Sequence, residues 1–82
     1  MIGIILKNIR KIRGLTQSKI GKKLNFADNT ISCYETGKCN PTFITIKRFL
    51  DICNFEIQFI DKENKRVYTL GELNKEMDFW KL

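Results

Sequence analysis

Between Gln17 and Glu35 the chain reads QSKIGKKLNFADNTISCYE, a run dense in amides and hydroxyls: Gln17, Ser18, Asn25, Asn29, Thr30 and Ser32, with Asp28 among them. The chain contains no histidine. It has no paired-carboxylate cluster in a glycine-rich setting, no phosphate loop and no metal-ligand spacing, so these residues compose no catalytic group and call for no cofactor. What such side chains do well is exchange hydrogen bonds with other polar surfaces, including phosphate oxygens and the edges of bases. The enzyme class is therefore set aside.

Those polar groups need elements to hold them. Ile20, Leu24, Ile31 and Tyr34 fall at the spacings that lock two crossed helices, about 17–24 and 28–36, across a tight turn. A unit of this kind serves mainly to place its second helix in the major groove of DNA. Thr16 sits where an N-cap belongs. Gly21 weakens the first helix of the pair by about 1 kcal/mol relative to alanine, acceptable if the partner helix must come close there. Asn25 suits a left-handed turn, and Phe26 can plug the corner. Asp28 is well placed at the start of the second helix, by capping and by the dipole. With Ile31 and Tyr34 inward, Ala27, Asp28, Asn29, Ser32 and Cys33 are left on the outer side.

The flanking segments complete a bundle. A helix over 3–13 carries Ile5, Leu6, Ile9 and Ile12 as one stripe, and Gly14 stops it. Gly37 ends the helix of 28–36. Thr42 caps a fourth helix over 43–53, with Ile46, Phe49, Leu50 and Cys53 inward. The period then changes: 55–60 alternates like a strand, 66–70 suits an antiparallel partner, and Thr69-x-x-Glu72 opens a last helix over 70–80. Leu70, Leu73, Met77 and Trp80 share a face of that helix. The expected fold is mainly α: four helices over residues 1–54, then a C-terminal β-strand or hairpin and a short helix over 55–82.

The 82 residues carry a formal net charge of +6, unevenly spread. Residues 1–50 hold ten Lys/Arg against Asp28 and Glu35 alone, a balance of +8, whereas 51–82 balance at −2. Positive charge on the part that carries the helix pair is the footprint expected for phosphate. Cys33, Cys39 and Cys53 lack zinc-ligand spacing and read as free thiols of a reducing cytosol. Cys53 suits the core, and an exposed Cys33 leaves a redox role open. The apolar run Ile2–Leu6 is too short for a signal peptide or a membrane span, so a cytoplasmic location with no membrane partner is expected.

Residues 6–53 resemble the helix-turn-helix domain of phage repressor and Cro-type regulators, the XRE family. The matching signature is Leu15-Thr16-Gln17, Ile20, Leu24, Ile31-Ser32, Tyr34-Glu35, Gly37, Pro41 and Leu50. It departs at Gly21, where alanine is usual, at Asn25, where glycine is usual, and at Lys19, where an acid is common. The resemblance implies a lambda-repressor-like bundle that binds double-stranded DNA. It implies base reading by Ala27, Asp28, Asn29 and Cys33: Asn29 toward adenine, Asp28 toward a cytosine amine, the Ala27 methyl toward thymine. For Asp28, base reading competes with capping. It implies phosphate contacts from Thr16, Gln17, Ser18, Thr30, Ser32, Lys38 and Asn40, with Arg13 and Lys47 as weaker candidates. It also implies a structural ion pair between Arg10 and Glu35.

The tail adds a route to a dimer. One such domain reads only a few base pairs, and regulators of this kind bind inverted half-sites as homodimers. Phe55, Ile57, Phe59 and Ile60 make a strand apolar on both faces, which needs a partner. That partner is a local hairpin, the same strand of a second subunit, or both. Thr16-Gln17-Ser18, Lys22-Lys23, Thr30-Ile31-Ser32 and the passage 50–60 are similar to HipB-like antitoxins. That likeness implies an autoregulatory repressor whose partner is a HipA-like kinase toxin. Phe79 and Trp80 could anchor a partner protein or staple the last helix to the core. A phage-type or restriction-control regulator without a toxin, and a protein-interaction module that has lost DNA binding, are the alternatives.

Overall fold

The structure is a computed structural model that describes residues 1–75. Four helices run in order: α1 (Ile2–Ile12), α2 (Gln17–Leu24), α3 (Asp28–Thr36) and α4 (Phe43–Ile52). They are followed by β1 (Gln58–Ile60), β2 (Val67–Thr69) and a single turn of helix, α5 (Leu70–Leu73). The fold is thus the mainly helical bundle with a C-terminal hairpin expected from the sequence.

Local chemistry sets the boundaries. Thr16 accepts from the Lys19 amide at 3.1 Å and starts α2. Thr42 does the same for α4 through Thr45, at 3.2 Å. Asn25 and Gly37 take left-handed φ values of 61° and 80° and end α2 and α3; neither helix can continue through such a residue. At Thr69 both arms of a capping box are made with Glu72. Asp28 differs from expectation: the N-cap of α3 is Ala27, and no side chain caps the helix. Asp28 lies one position inside, where its charge suits the dipole but its carboxylate cannot reach back to the cap site.

The core is Leu6, Ile20, Leu24, Ile31, Phe49, Leu50 and Cys53, all buried, with Ile46 and Tyr34 packed against it. Phe26 closes the corner between α2 and α3, its ring edge-on to Tyr34 at 6.4 Å between centroids. The phase of α1 departs from the expected stripe. Ile5 and Ile12 are 43% and 64% exposed, and α1 turns Ile2, Gly3, Leu6, Ile9 and Arg10 inward instead. The reason is Gly3. A Cβ there would meet the carbonyl oxygens of Tyr34 and Glu35, so only a glycine lets α1 lie against the end of α3. Gly21 has a similar role: a Cβ would stand 2.7 Å from the Phe26 carbonyl, whose own amide donates to Gly21 at 2.7 Å.

The expected strand over 55–60 is shorter. The Phe55 amide donates to the Leu50 carbonyl at 2.9 Å and so closes α4, while Phe55 and Ile57 pack on the core. β1 pairs antiparallel with β2 in the register Gln58–Thr69, Phe59–Tyr68 and Ile60–Val67. The Leu70 amide then donates to the Ile57 carbonyl at 3.3 Å, tying the hairpin's base to the segment after α4. Among the described residues the last helix spans Leu70–Leu73, and the Asn74 amide donates to the Leu70 carbonyl at 2.8 Å. Met77, Phe79 and Trp80, expected on that helix or at its end, lie outside the described residues.

Gly3→Ala is expected to lower stability by about 1–3 kcal/mol, the cost of forcing a methyl into a filled contact. Gly71→Ala, whose Cβ would meet nothing nearer than 3.9 Å, is the control and should be neutral or slightly stabilising. Urea denaturation of both variants checks this through the midpoint at unchanged slope.

Candidate nucleic-acid interface

α2 and α3 together present a polar, basic surface. At its centre, α3 begins with Ala27, Asp28 and Asn29, all exposed. No side chain caps the helix, so the Asp28 and Asn29 amides have no side-chain acceptor, while the Thr30 amide donates to the Ala27 carbonyl at 3.0 Å. Thr30, Ser32 and Cys33 follow, each half-buried. On one flank lies the start of α2. The Thr16 hydroxyl oxygen is occupied by the Lys19 amide, which leaves its O–H free to donate. Ser18 is half-buried beside it. On the other flank, Lys38 and Asn40 are exposed in the loop after α3. The candidate base-reading and phosphate-binding residues are therefore distributed along α2, α3 and the following loop.

Behind this surface, Arg10 and Glu35 meet as a bidentate pair. Arg10 Nε donates to Glu35 Oε2 at 2.7 Å, and Nη2 donates to Oε1 at 2.8 Å. Both residues are buried, at 8% and 5% exposure. Nη1 donates to the Leu15 carbonyl at 2.8 Å, so the guanidinium also pins the loop between α1 and α2. Burial by itself would push the Glu35 carboxyl up. Hydrogen bonds from Arg10 and Gln17, with the charges of Arg10 and Lys7, outweigh that and hold it below the usual carboxylate range. Hydrogen bonding to Glu35 raises the Arg10 guanidinium despite burial, so the pair stays ionised.

Gln17 belongs to this assembly, a point the sequence did not reveal. Its Nε2 donates to Glu35 Oε1 at 3.1 Å. One of its two N–H donors is thereby engaged, and the other, with the amide oxygen, remains for a ligand. The start of α2 and the last turn of α3 are joined through the same carboxylate. Two weaker candidates are engaged elsewhere. Arg13 Nε donates to the Cys53 carbonyl at 2.7 Å, and its guanidinium stacks 4.6 Å from the centre of the Phe55 ring. It therefore seals the end of α4. Lys47 pairs with Asp51 at 2.8 Å, one turn along α4.

Of the apolar tail residues, Phe55 and Ile57 are packed on the core, while Phe59 and Ile60 are 41% and 64% exposed. Val67, opposite Ile60, is half exposed as well. β1 is paired on one edge only, so its second edge is open among the described residues. Among the described residues no cluster of potential metal ligands occurs, and no helix is long and apolar enough to cross a membrane.

A family model described as Helix-turn-helix (HTH_3) matches residues 6–60, from α1 through β1. Comparison with curated proteins gives no match. Among solved structures, one called MDT Protein is similar at 27% identity and a TM-score of 0.63, covering 76% of this chain and 87% of that one.

Removing one member of the Arg10–Glu35 pair strands a buried charge. Arg10→Met and Glu35→Leu should each cost about 3–5 kcal/mol, and the double substitution much less than their sum. A double-mutant cycle in urea measures this. Because the Glu35 carboxyl lies below its ordinary range when folded, its stabilisation is complete above that range. It is lost as pH falls through the lowered value, where the unfolded chain has already taken the proton. Thermal melts of the wild type should therefore fall in that acid window by more than those of the double variant.

Proposed function

We propose that this chain, which belongs to the HTH_3 helix-turn-helix family of DNA-binding transcription regulators, is a sequence-specific repressor that acts as a homodimer on an inverted-repeat operator. The observation that carries the reading is the start of α3. Ala27, Asp28 and Asn29 stand exposed on a helix whose phase is fixed from behind by Ile31 and Glu35. A helix held this firmly from one side, with short polar side chains on the other, is suited to a major groove. In this reading Asn29 pairs with an adenine edge, Asp28 accepts from a cytosine amine, Ala27 meets a thymine methyl and Cys33 lies further along the same face. Thr16, Gln17, Ser18, Thr30, Ser32, Lys38 and Asn40 hold phosphates on both sides. The absence of a side-chain cap supports base reading by Asp28, because capping no longer competes for its carboxylate.

The second subunit joins through the hairpin. Phe59 and Ile60 on the open edge of β1 supply apolar area that the described core leaves uncovered. Edge-to-edge pairing would satisfy their free backbone groups as well. Repression of its own operon is the regulatory output, and the narrower form of the proposal is an antitoxin that holds a HipA-like kinase toxin. That form rests on the likeness of Thr16-Gln17-Ser18, Lys22-Lys23 and Thr30-Ile31-Ser32 to HipB-like antitoxins.

Two substitutions separate base reading from charge. On a bound duplex, Asn29→Ala should cost about 1–3 kcal/mol and relax preference at one base position. Lys38→Ala should weaken all sequences alike and lower the salt slope by about 1. Titration by fluorescence anisotropy at several salt concentrations reads both. Equal effects of the two on every sequence would oppose the assignment of Asn29. For the dimer, Ile60→Lys should shift sedimentation toward the monomer while leaving the helical fold intact, and an unchanged mass would reject β1 as the interface.

A further inference from the structure

Two of the three free cysteines are neighbours in space. Gly37, at φ 80°, turns the chain back along the last turn of α3. The Cys39 amide consequently donates to the Cys33 carbonyl at 3.3 Å. That carbonyl also accepts from the Thr36 hydroxyl at 3.3 Å, which steadies the arrangement. That bond brings the two backbones together, as a disulfide requires, since it joins residues whose Cα atoms lie about 4.4–6.8 Å apart. The two thiols are also close enough to influence one another electrostatically. Hydrogen bonding with the Cys33 side chain, and then burial, push the Cys39 thiol above its ordinary pKa. Both residues are half-buried and so within reach of small solutes, whereas Cys53 is sealed in the core.

We propose that Cys33 and Cys39 form a redox-active dithiol, which closes to an intramolecular disulfide by exchange with a small disulfide of the glutathione class. One cysteine, as its thiolate, attacks the small disulfide and becomes a mixed disulfide, releasing one small thiol. The second cysteine, also as a thiolate, attacks the protein sulfur of that mixed disulfide and releases the other small thiol. Each cysteine gives up one proton and one electron, and the small disulfide is reduced to two thiols. The proximity of the two residues makes the second step intramolecular and therefore favoured over a lasting mixed disulfide.

The placement gives closure a consequence, which rests on the DNA-binding reading above. Cys33 stands on the outward side of α3, and the segment closed by the new bond contains Lys38. Asn40 follows at once. Closure draws the Cys33 sulfur off the reading face and fixes the loop that offers Lys38 and Asn40 to phosphate. The oxidised form is expected to bind its duplex about tenfold more weakly, the size of one lost base contact.

The test equilibrates the full chain with mixtures of reduced and oxidised glutathione, alkylates the remaining thiols and maps them by mass. The expected result is joint protection of Cys33 and Cys39 in one species, with Cys53 alkylated only after denaturation. Cys33→Ser and Cys39→Ser should instead accumulate the mixed disulfide. If the wild type also stops at the mixed disulfide, or if Cys33 and Cys39 oxidise independently, the proposal is overturned. Duplex binding is then compared between reduced and oxidised chains, with Cys39→Ser as the insensitive control. Equal affinity of the two forms would overturn the link to DNA. A reduced chain that binds no duplex would count against the DNA-binding reading instead, and the mass result decides the dithiol without it.

Discussion

A guanidinium and a carboxylate withdrawn from water together are costly to desolvate, and their attraction offsets that cost only when the geometry is close to ideal and the remaining donors are used. Arg10 and Glu35 meet those conditions: two parallel bonds of 2.7 and 2.8 Å, with Leu15 and Gln17 taking up further groups. Four parts of the chain meet at this point: α1 through Arg10, the loop before α2 through Leu15, α2 through Gln17 and α3 through Glu35. Rotation of α3 about its axis would break the bonds of Glu35 to both Arg10 and Gln17 at once. The exposed face of α3 is therefore aimed by a buried interaction on its opposite side. Gly3 lets α1 lie against the end of α3 beside Glu35, and Gly21 lets the turn after α2 fold close against that helix.

The fold was largely legible because its signals are local. Thr16, Asn25, Gly37, Thr42 and the Thr69–Glu72 box each act within a few residues, and a hydroxyl or a left-handed turn marks an end whatever lies elsewhere in the chain. What misled was phase and length. Five isoleucines and a leucine in α1 leave more apolar residues than one face can use, so hydrophobicity alone could not say that Ile5 and Ile12 point outward. Gly3 held the information, as the one residue small enough for the α3 backbone to approach. The strand is shorter than its alternation suggests because Phe55 and Ile57, though spaced like strand residues, pack on the helical core. The one-turn length of α5 among the described residues has no sign in its apolar spacing, which continues through Leu73.

The candidate site was legible in proportion to how far its residues answer to sequence position. Residues at the start of a helix must face outward if the helix's inward stripe is known, so the exposure of Ala27, Asp28 and Asn29 follows from Ile31 and Tyr34. The bond between Gln17 and Glu35 could not be read in that way, because it joins residues whose approach depends on the crossing of two helices. Arg13 is a similar case: its positive charge looks free in sequence but is drawn to the carbonyls that end α4. The nearness of Cys33 and Cys39 depends on the direction in which Gly37 turns the chain, which a glycine permits but does not announce.

The surface formed by α2, α3 and the loop after them lies in the half of the chain that carries a charge of +8, while the hairpin half is slightly acidic. In the proposed function, attraction to phosphate and attraction to a second subunit belong to separate ends of one small fold. The most direct measurement is a selection of binding sites from random duplexes with the full chain, at about physiological salt. The account predicts enrichment of an inverted repeat whose half-sites are centred about 10 base pairs apart. Recovery of unselected sequence, with only salt-sensitive background binding, would contradict it.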